Sequence, residues 1–276
     1  MAKLGMFCWF SYYLPIRKRL QLIKNAGFEA TSLWWDSDDN HDGHPDLARQ
    51  IGLEIYNIHA PFYNRDGLWG ADDLWCDNQG GVDYLNLLIS CVEDCRRHSV
   101  PTLVIHLAGF REYVVPTALG LKRIEKLVEI AEKKNINLAF ENLRYLEHLG
   151  YVFENVNSRR IGFCYDNGHE HCNHPGSNCL EKYGDKLMVV HFHDNFGSHD
   201  SHLLPFDGSF NWDEMAAWFK KPRSIDYHTL EVDFFIIEAC FDPTHPDGRM
   251  YQNVTAKEYV NRAFKRAERL EELLKP

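Results

Sequence analysis

The sequence predicts a single-domain α/β protein, a (β/α)8 barrel that spans residues 1–276. Eight short apolar runs alternate with longer stretches whose apolar residues lie three and four positions apart, which is typical of strands alternating with helices. A chain of 276 residues is an ordinary length for one such barrel. Ligand-type residues end most of the runs, where the strands of a barrel open onto one face. A doubly wound open sheet is the alternative, and it would require some of these runs not to be strands.

The predicted strands cover 4–10, 30–35, 53–60, 102–108, 137–143, 161–167, 188–194 and 228–234. A first helix is expected between Pro15, which suits a helix start, and Gly27, which suits a helix end. Residues 121–135 and 256–275 also have helical spacing, before the fifth strand and at the end of the chain. A further helix is expected after residue 211, with Ser209 or Asn211 as its N-cap.

Alternate residues of a barrel strand point into the interior. Ala139 and Glu141 share one face of the fifth strand, and Val189, His191 and His193 share one face of the seventh. Each of these faces begins with a small or apolar residue and ends with a metal-ligand type. We therefore expect the polar groups to meet at the C-terminal mouth, where barrel enzymes keep their chemistry.

Charge and composition narrow the classes of function. The net charge of -10, from 30 Lys+Arg against 40 Asp+Glu, disfavours a nucleic-acid partner, because binding to phosphates requires many cations. Eight scattered cysteines without a CxxC pair are interpreted as reduced thiols, mostly in the core. Without a recognisable signal peptide or an 18-residue apolar stretch, we expect a soluble, cytoplasmic protein with no membrane partner.

The strand ends and the loop after the seventh strand carry a set of imidazoles and carboxylates, side chains that bind divalent metal ions. One such residue alone is more often structural, but six strands ending this way indicate a metal site. We predict that Glu141, Asp166, His191 and Glu231 form its core. The further candidates, as metal or substrate ligands, are His59, His106, His169, Asp200 and His202.

These residues stand in motifs that resemble the xylose isomerase-like TIM barrel superfamily, which includes sugar isomerases and epimerases related to tagatose 3-epimerase, inosose isomerases and endonuclease IV. The motifs are IHAPF (58–62), VIHLAG (104–109), FENL (140–143), CYDNGH (164–169), VHFHDN (190–195), DSHLLPFDG (200–208) and LEV (230–232). They follow the family's order over essentially the whole chain. The resemblance implies Glu141, Asp166, His191 and Glu231 as the shared metal ligands.

Two branches of that superfamily imply different further roles. In the tagatose epimerase branch a His and an Arg hold substrate hydroxyls; His169 matches the first, whereas Gly197 stands in place of the second. In endonuclease IV the counterparts of His59, His106, His169, Asp200 and His202 are additional ligands of a three-metal cluster, and all five positions are filled in this sequence.

The preferred hypothesis is a sugar, sugar phosphate or polyol isomerase or epimerase that uses one divalent ion, Mn²⁺, Co²⁺, Mg²⁺ or Zn²⁺. Glu141 and Glu231 would act as acid and base on the two faces of an enediolate stabilised by the ion. His169 and His202 would bind hydroxyls, and Trp9 and Trp35 would stack on the sugar.

The alternative hypothesis is an endonuclease IV-like multinuclear zinc phosphoesterase, of the AP endonuclease family 2. This hypothesis gives every candidate ligand a role. However, a DNA-binding surface needs Lys and Arg, and the loops after the second and third strands are acidic and aromatic. A non-catalytic sugar-binding or metal-binding relative, or a lyase on the same site, is a third hypothesis. The expected partner is a small carbohydrate, and analogy with relatives leaves a homo-oligomer open.

Overall fold

The computed structural model describes residues 2–35, 41–64, 66–109, 113–221 and 234–275. Their strands close into a barrel in sequence order, each parallel to its neighbours, and the eighth pairs with the first. The predicted (β/α)8 barrel is therefore confirmed. The strands are β1 Lys3–Phe7, β2 Ala30–Trp34, β3 Glu54–His59, β4 Thr102–Ile105, β5 Asn137–Glu141, β6 Ile161–Asp166, β7 Leu187–Phe192 and β8 Phe234–Ile237.

Helices pack around the outside of the barrel. In the described part of the chain they are α1 Ile16–Ala26, α2 His44–Ile51, α3 Gln79–Arg97, α4 Ala118–Lys134, α5 Leu146–Asn155, α6 Asn167–Asn173, α7 Cys179–Tyr183, α8 Trp212–Phe219 and α9 Ala256–Leu274. Single 3-10 turns cover His41–Gly43, Ala71–Trp75, Gly184–Lys186 and Asp247–Tyr251. None of the helices among these residues is long and apolar enough to cross a membrane.

Local sequence explains where several helices begin and end. Gly27 ends α1 in the left-handed conformation, at φ +118°, as its position after the helix predicted. Asn211 caps α8 by accepting from the backbone N–H of Glu214, so of the two expected caps Asn211 is the one used. α9 begins with a capping box between Thr255 and Glu258.

Apolar side chains fill the barrel interior below the mouth. This inner cluster is separate from the larger core between strands and helices, and it contains Tyr56, Val104, Ala139, Cys164, Met188, Val189 and Ile236. The next inward positions toward the mouth are polar, as the alternation predicted. The packed interior therefore forms a rigid floor beneath these groups.

The eighth strand extends beyond its predicted end. The prediction was 228–234, and the described strand, Phe234–Ile237, continues to residue 237 and is followed at once by the buried Glu238. Residues 222–233, which include the predicted ligand Glu231, lie outside the described residues. In the described structure, Glu238 is therefore the carboxylate at the end of β8.

Candidate metal centre

The segment after β7 brings two parts of the mouth together. Asp194 and Leu203 form an antiparallel bridge, with backbone hydrogen bonds of 2.9 and 2.8 Å. The bridge closes the loop 195–202 and turns it back over the strand ends. His202, the last residue of this loop, has φ +43°, an uncommon conformation for a residue other than glycine. The loop thus supplies Asp200 and His202 to the site.

Glu141, at the end of β5, lies at the centre of the site. Its Oε2 is 3.1 Å from His106 Nε2 and 3.3 Å from His59 Nε2. Its Oε1 is 3.1 Å from His169 Nδ1 and 3.5 Å from His191 Nδ1. One buried carboxylate therefore contacts four imidazoles, which come from β3, β7 and the segments after β4 and β6.

Glu238 completes this group from the eighth strand. Its Oε2 lies 2.5 Å from His191 Nδ1, and both side chains are buried. Glu141 and Glu238 thus approach the same imidazole. Glu238 was not predicted from the sequence, because the LEV motif at 230–232 offers a glutamate at the expected end of the eighth strand.

Asp166, at the end of β6, lies beside His169 and a fifth imidazole, that of His193. Its carboxylate oxygens are 2.9 and 3.0 Å from His193 Nε2, and Oδ1 is 3.7 Å from His169 Nδ1. Oδ1 also accepts the backbone N–H of His169 at 2.7 Å and so caps α6. His193 was not among the predicted site residues, although it shares the inward face with His191.

Asp200 bridges His169 and the last histidine of the mouth, His202. Its Oδ2 is 3.1 Å from His169 Nε2 and 3.0 Å from His202 Nε2. The ring of His202 stacks on His193 at 3.8 Å between centroids. The described residues of the mouth therefore form one continuous cluster of ten, namely His59, His106, Glu141, Asp166, His169, His191, His193, Asp200, His202 and Glu238.

Mutual contacts determine the charge states in this cluster. Burial alone would raise the pKa of Glu141, but His106 and His191 hold it well below its usual range. Burial likewise opposes ionisation of Glu238, and His191 holds the pKa of that carboxyl below its usual range. Burial would lower the pKa of His191, but Cys164, Glu238 and Glu141 hold it well above its usual range. The carboxylates are therefore ionised near neutral pH.

Asp200 and its neighbours show the same pattern. Although burial would raise the pKa of Asp200, His202 and His169 hold it well below its usual range. The pKa of His169 and of His202 is raised well above its usual range by the facing carboxylates, against the effect of burial. By contrast, burial lowers the pKa of His106 despite the nearby Glu141. A bound cation would compete with the protons of the His169 and His202 imidazoles.

The donor atoms fit a divalent cation. Among the described residues, Glu141 Oε1, His191 Nε2, Glu238 Oε2 and Asp200 Oδ1 are buried and have no hydrogen-bond partner, although several lie close to other polar atoms. Buried polar groups are rarely left unsatisfied. Within this part of the chain the ligand atoms of His59, His191 and Glu238 lie within 4.8 Å of one another. Imidazole with carboxylate is a ligand set for Zn²⁺, Mn²⁺ or Co²⁺.

A pocket of about 600 Å³ opens above the cluster. Aromatic side chains form much of its wall, from Trp34 and Phe62 near His59 to the exposed Tyr13 at the rim. The predicted Trp9 lines this pocket. Trp35 does not, because it is buried on the other side of β2 and donates from Nε1 to Asp94 Oδ2 at 2.9 Å. That prediction is corrected: Trp34, the preceding residue, has the inward position.

Arg19 is the one Lys or Arg among the described residues that line the pocket. Its Nε donates to the carbonyl of Leu14 and its Nη1 to that of Cys8, both at 3.0 Å, and the guanidinium stacks over Trp9 at 5.2 Å. The arginine is thus largely used by the protein itself.

The fold and the mouth thus define a closed parallel (β/α)8 barrel with a candidate metal centre at the C-terminal ends of its strands. Residues 20–234 match the family model described as xylose isomerase-like TIM barrel. The chain belongs to this family, as its motifs indicated.

Proteins of known sequence and structure extend the comparison. The chain is 29% identical over 242 residues to the protein y4fM of Sinorhizobium fredii (strain NBRC 101917 / NGR234), covering 73% of this chain and 76% of that protein. A solved D-tagatose 3-epimerase-like protein matches with a TM-score of 0.63 and 19% identity, over 95% and 98% of the two chains. An L-ribulose 3-epimerase matches with a TM-score of 0.70 and 16% identity, over 100% and 99%. At these identities the structural matches show the shared fold.

Proposed function

We propose that this protein is a divalent-metal-dependent isomerase or epimerase of a sugar or sugar derivative. The observation that supports it best is the pair of buried carboxylates, Glu141 and Glu238, that approach His191 below an aromatic pocket. Epimerisation and aldose-ketose isomerisation both require one group that removes a proton beside a carbonyl and another that returns one. The solved sugar epimerases with this fold support the same class of reaction.

The proposed metal ligands are Glu141, Asp166, His191 and Glu238, with Glu238 replacing Glu231 of the sequence prediction. When bound, a divalent ion would polarise the carbonyl and neighbouring hydroxyl of the substrate. Glu141 and Glu238 have lowered pKa values, so each is available as a proton acceptor near neutral pH. One takes the proton from the carbon beside the carbonyl and later releases it to solvent, while the other takes a proton from solvent and delivers it to the carbon.

The remaining groups of the mouth position the substrate. His169 and His202 line the pocket and can donate hydrogen bonds to hydroxyls. Trp34 and Phe62 offer apolar faces to the C–H side of a sugar ring and keep water from the reacting carbon. Gly197 carries no side chain where the tagatose epimerase branch has arginine, so these histidines carry more of the hydroxyl recognition.

Exchange with solvent deuterium tests the proposal. The Mn²⁺-loaded protein is incubated in D₂O with ketopentoses and ketohexoses, and proton NMR follows deuterium entering beside the carbonyl. Glu141→Gln and Glu238→Gln should each slow exchange at least about 100-fold, because a general acid or base is lost. Glu268→Gln, an exposed site on α9, is the control and should exchange at the wild-type rate. Exchange that survives both site substitutions would refute the assignment.

A multinuclear phosphoesterase is the second candidate, and one observation favours it. Two further groups, His59 with His106 and Glu141, and His169 with His193, Asp200 and His202, have ligand atoms close enough to hold ions. The engaged Arg19 and the net charge of -10 argue against a phosphodiester substrate. Zinc-loaded protein assayed on abasic-site DNA and on bis-p-nitrophenyl phosphate decides between the candidates: hydrolysis without deuterium exchange on ketoses would favour the phosphoesterase.

A further inference from the structure

Cys240 lies three residues beyond β8 and lines the same pocket as the candidate metal centre. Its Sγ, a nitrogen of His202 and an oxygen of Glu238 lie within 4.8 Å of one another. Neither function proposed above uses this thiol. The thiol sulfur, the imidazole nitrogen and the carboxylate oxygen are three different kinds of metal donor, and they lie close enough to one another to bind one ion.

The orientation of His202 adds to this grouping. Its Nδ1 is 3.0 Å from the backbone carbonyl of Glu238, so the Nδ1–H donates there and Nε2 is the nitrogen that can bind a metal. Such a hydrogen bond to one ring nitrogen is how proteins commonly orient a metal-binding imidazole. Nε2 in turn lies 3.0 Å from Asp200 Oδ2. A cation bound at Nε2 would replace the proton that this hydrogen bond uses.

Glu238 supplies an independent observation. Its side chain is 8% exposed, and the contact of its Oε2 with His191 Nδ1, at 2.5 Å, lacks hydrogen-bond geometry. A buried carboxylate oxygen without a hydrogen bond is costly unless a cation satisfies it. Because Glu238 also lies against His191, its carboxylate belongs both to the Glu141 group and to the Cys240 group.

We propose that Cys240, His202 and Glu238 form a second metal site at the pocket wall, specific for a borderline-soft divalent ion of the Zn²⁺ type. Thiolate ligands favour Zn²⁺ over Mn²⁺ or Mg²⁺. On binding, the Cys240 S–H bond breaks, a sulfur–metal bond forms and the proton passes to solvent. The site lies beside the one assigned to Glu141, Asp166 and His191, with the Glu238 carboxylate between the two ions.

Two other cysteines near the mouth have different surroundings. Cys164 lies in the barrel interior, 3.6 Å from His191 Nδ1, and belongs with Glu141 to a separate group of donors. Cys172 is half-buried, and its Sγ lies 3.8 Å from the backbone carbonyl of His169, to which it donates. They serve as matched controls, because each lies close to a histidine of the cluster without belonging to the proposed site.

Cobalt spectroscopy tests the proposal without any turnover. Protein freed of metal by chelation is titrated with Co²⁺, and the near-ultraviolet absorption that arises from a cobalt–thiolate bond is recorded. Wild-type protein and Cys172→Ser should develop this band, and Cys240→Ser should not. A wild-type protein without the band, or a band that persists in Cys240→Ser and disappears in Cys164→Ala, would overturn the proposal.

Two further readouts keep the test decisive if Cys240→Ser folds poorly. In wild-type protein, Zn²⁺ should slow alkylation of Cys240 by iodoacetamide at least about tenfold, measured by peptide mass spectrometry, because a ligated thiolate is not free to react. Mg²⁺ should give no protection. Elemental analysis should find about one zinc fewer per chain in a folded Cys240→Ser protein. Equal alkylation rates with and without Zn²⁺ would contradict the site.

Discussion

Gly168 stands at a point of the mouth where a side chain has no room. A Cβ at this position would lie 2.0 Å from Cε1 of His193, whose ring contacts Asp166 and stacks on His202. The glycine is thus needed for the close approach of α6 to the inward ring rather than for an unusual backbone conformation. The motif CYDNGH therefore combines a proposed metal ligand, Asp166, with the space that the neighbouring imidazole requires.

Gly168→Ala should accordingly destabilise the protein by about 1–3 kcal/mol, because the ring must shift in a packed region. Urea denaturation followed by circular dichroism measures this loss. Gly43→Ala is the matched control, since a Cβ at Gly43 meets no atom within 4 Å and should change stability by less than about 0.5 kcal/mol. Equal effects of the two substitutions would show that His193 is not held as described.

Glu238, rather than Glu231, is the glutamate that we expect to serve the site from the eighth strand. Glu238 approaches His191, so Glu238→Gln should remove a charged ligand and weaken metal binding at least about tenfold. Glu231→Gln should leave metal binding at the wild-type level. Metal affinity of both variants, measured by calorimetry on chelator-treated protein, decides the matter. Loss of affinity in Glu231→Gln alone would restore the original sequence prediction.

At the scale of elements, Asp194 holds the loop after β7 in place. Its Oδ1 accepts hydrogen bonds from the backbone N–H groups of Asn195 and Phe210. Its Oδ2 accepts hydrogen bonds from the backbone N–H of Phe206 and the indole N–H of Trp212. All four distances are 2.9–3.0 Å. One buried carboxylate thus ties β7 to the segment 206–212 and to α8. The same loop carries Asp200 and His202 to the mouth.

Asp194→Ala should cost about 3 kcal/mol or more, because four donors lose their acceptor in a buried place. The loop should also hold Asp200 and His202 less firmly, so metal affinity should fall together with stability. Chemical denaturation and metal titration on the same preparation measure both effects. Asp213→Asn, at an exposed position of α8, is the control and should change neither. If Asp194→Ala is as stable as the wild type but binds metal more weakly, the hydrogen bonds of Asp194 position the loop without stabilising the fold.

The sequence predicted the order of elements well because strands and helices of this fold have distinct periods. The first seven predicted strands overlap the observed ones, and their inward residues, such as Glu141 and His191, lie where alternation placed them. The ends of strands were less accurate, since β1 and β4 stop earlier than their apolar runs. Apolar residues after a strand pack beneath helices as readily as within the sheet, so composition alone does not fix the last residue.

Side chains that act on the site through contacts across the barrel were harder to predict. His193 and Cys240 gain their roles from neighbours distant in sequence, and Trp35 was assigned to the pocket although its side chain lies under α3. Consecutive residues of a strand point to opposite sides of the sheet, so only one of Trp34 and Trp35 can face the pocket. Which one does is known only once the register of the strand is known. For β8, a plausible motif at 230–232 competed with the apolar run FFII at 234–237, which forms the described strand.

At the scale of the whole molecule, the candidate centre joins strands that are far apart in the chain. Glu141, His191 and Glu238 come from β5, β7 and the end of β8, and His59 adds β3. An ion bound by these groups would link both halves of the barrel at its mouth.

Metal binding should therefore raise thermal stability. An ion that binds only the folded state, present at about 100 times its dissociation constant, adds about 2.7 kcal/mol. For a barrel of this size that corresponds to a rise in Tm of roughly 5 °C or more. Differential scanning calorimetry with Mn²⁺ or Zn²⁺ against chelator-treated protein measures it. Glu238→Gln should lose about half of the rise or more and Glu268→Gln should keep it, because only the first removes a proposed ligand. An equal rise in both variants would place the bound ion elsewhere on the molecule, since a site that includes Glu238 requires its charge.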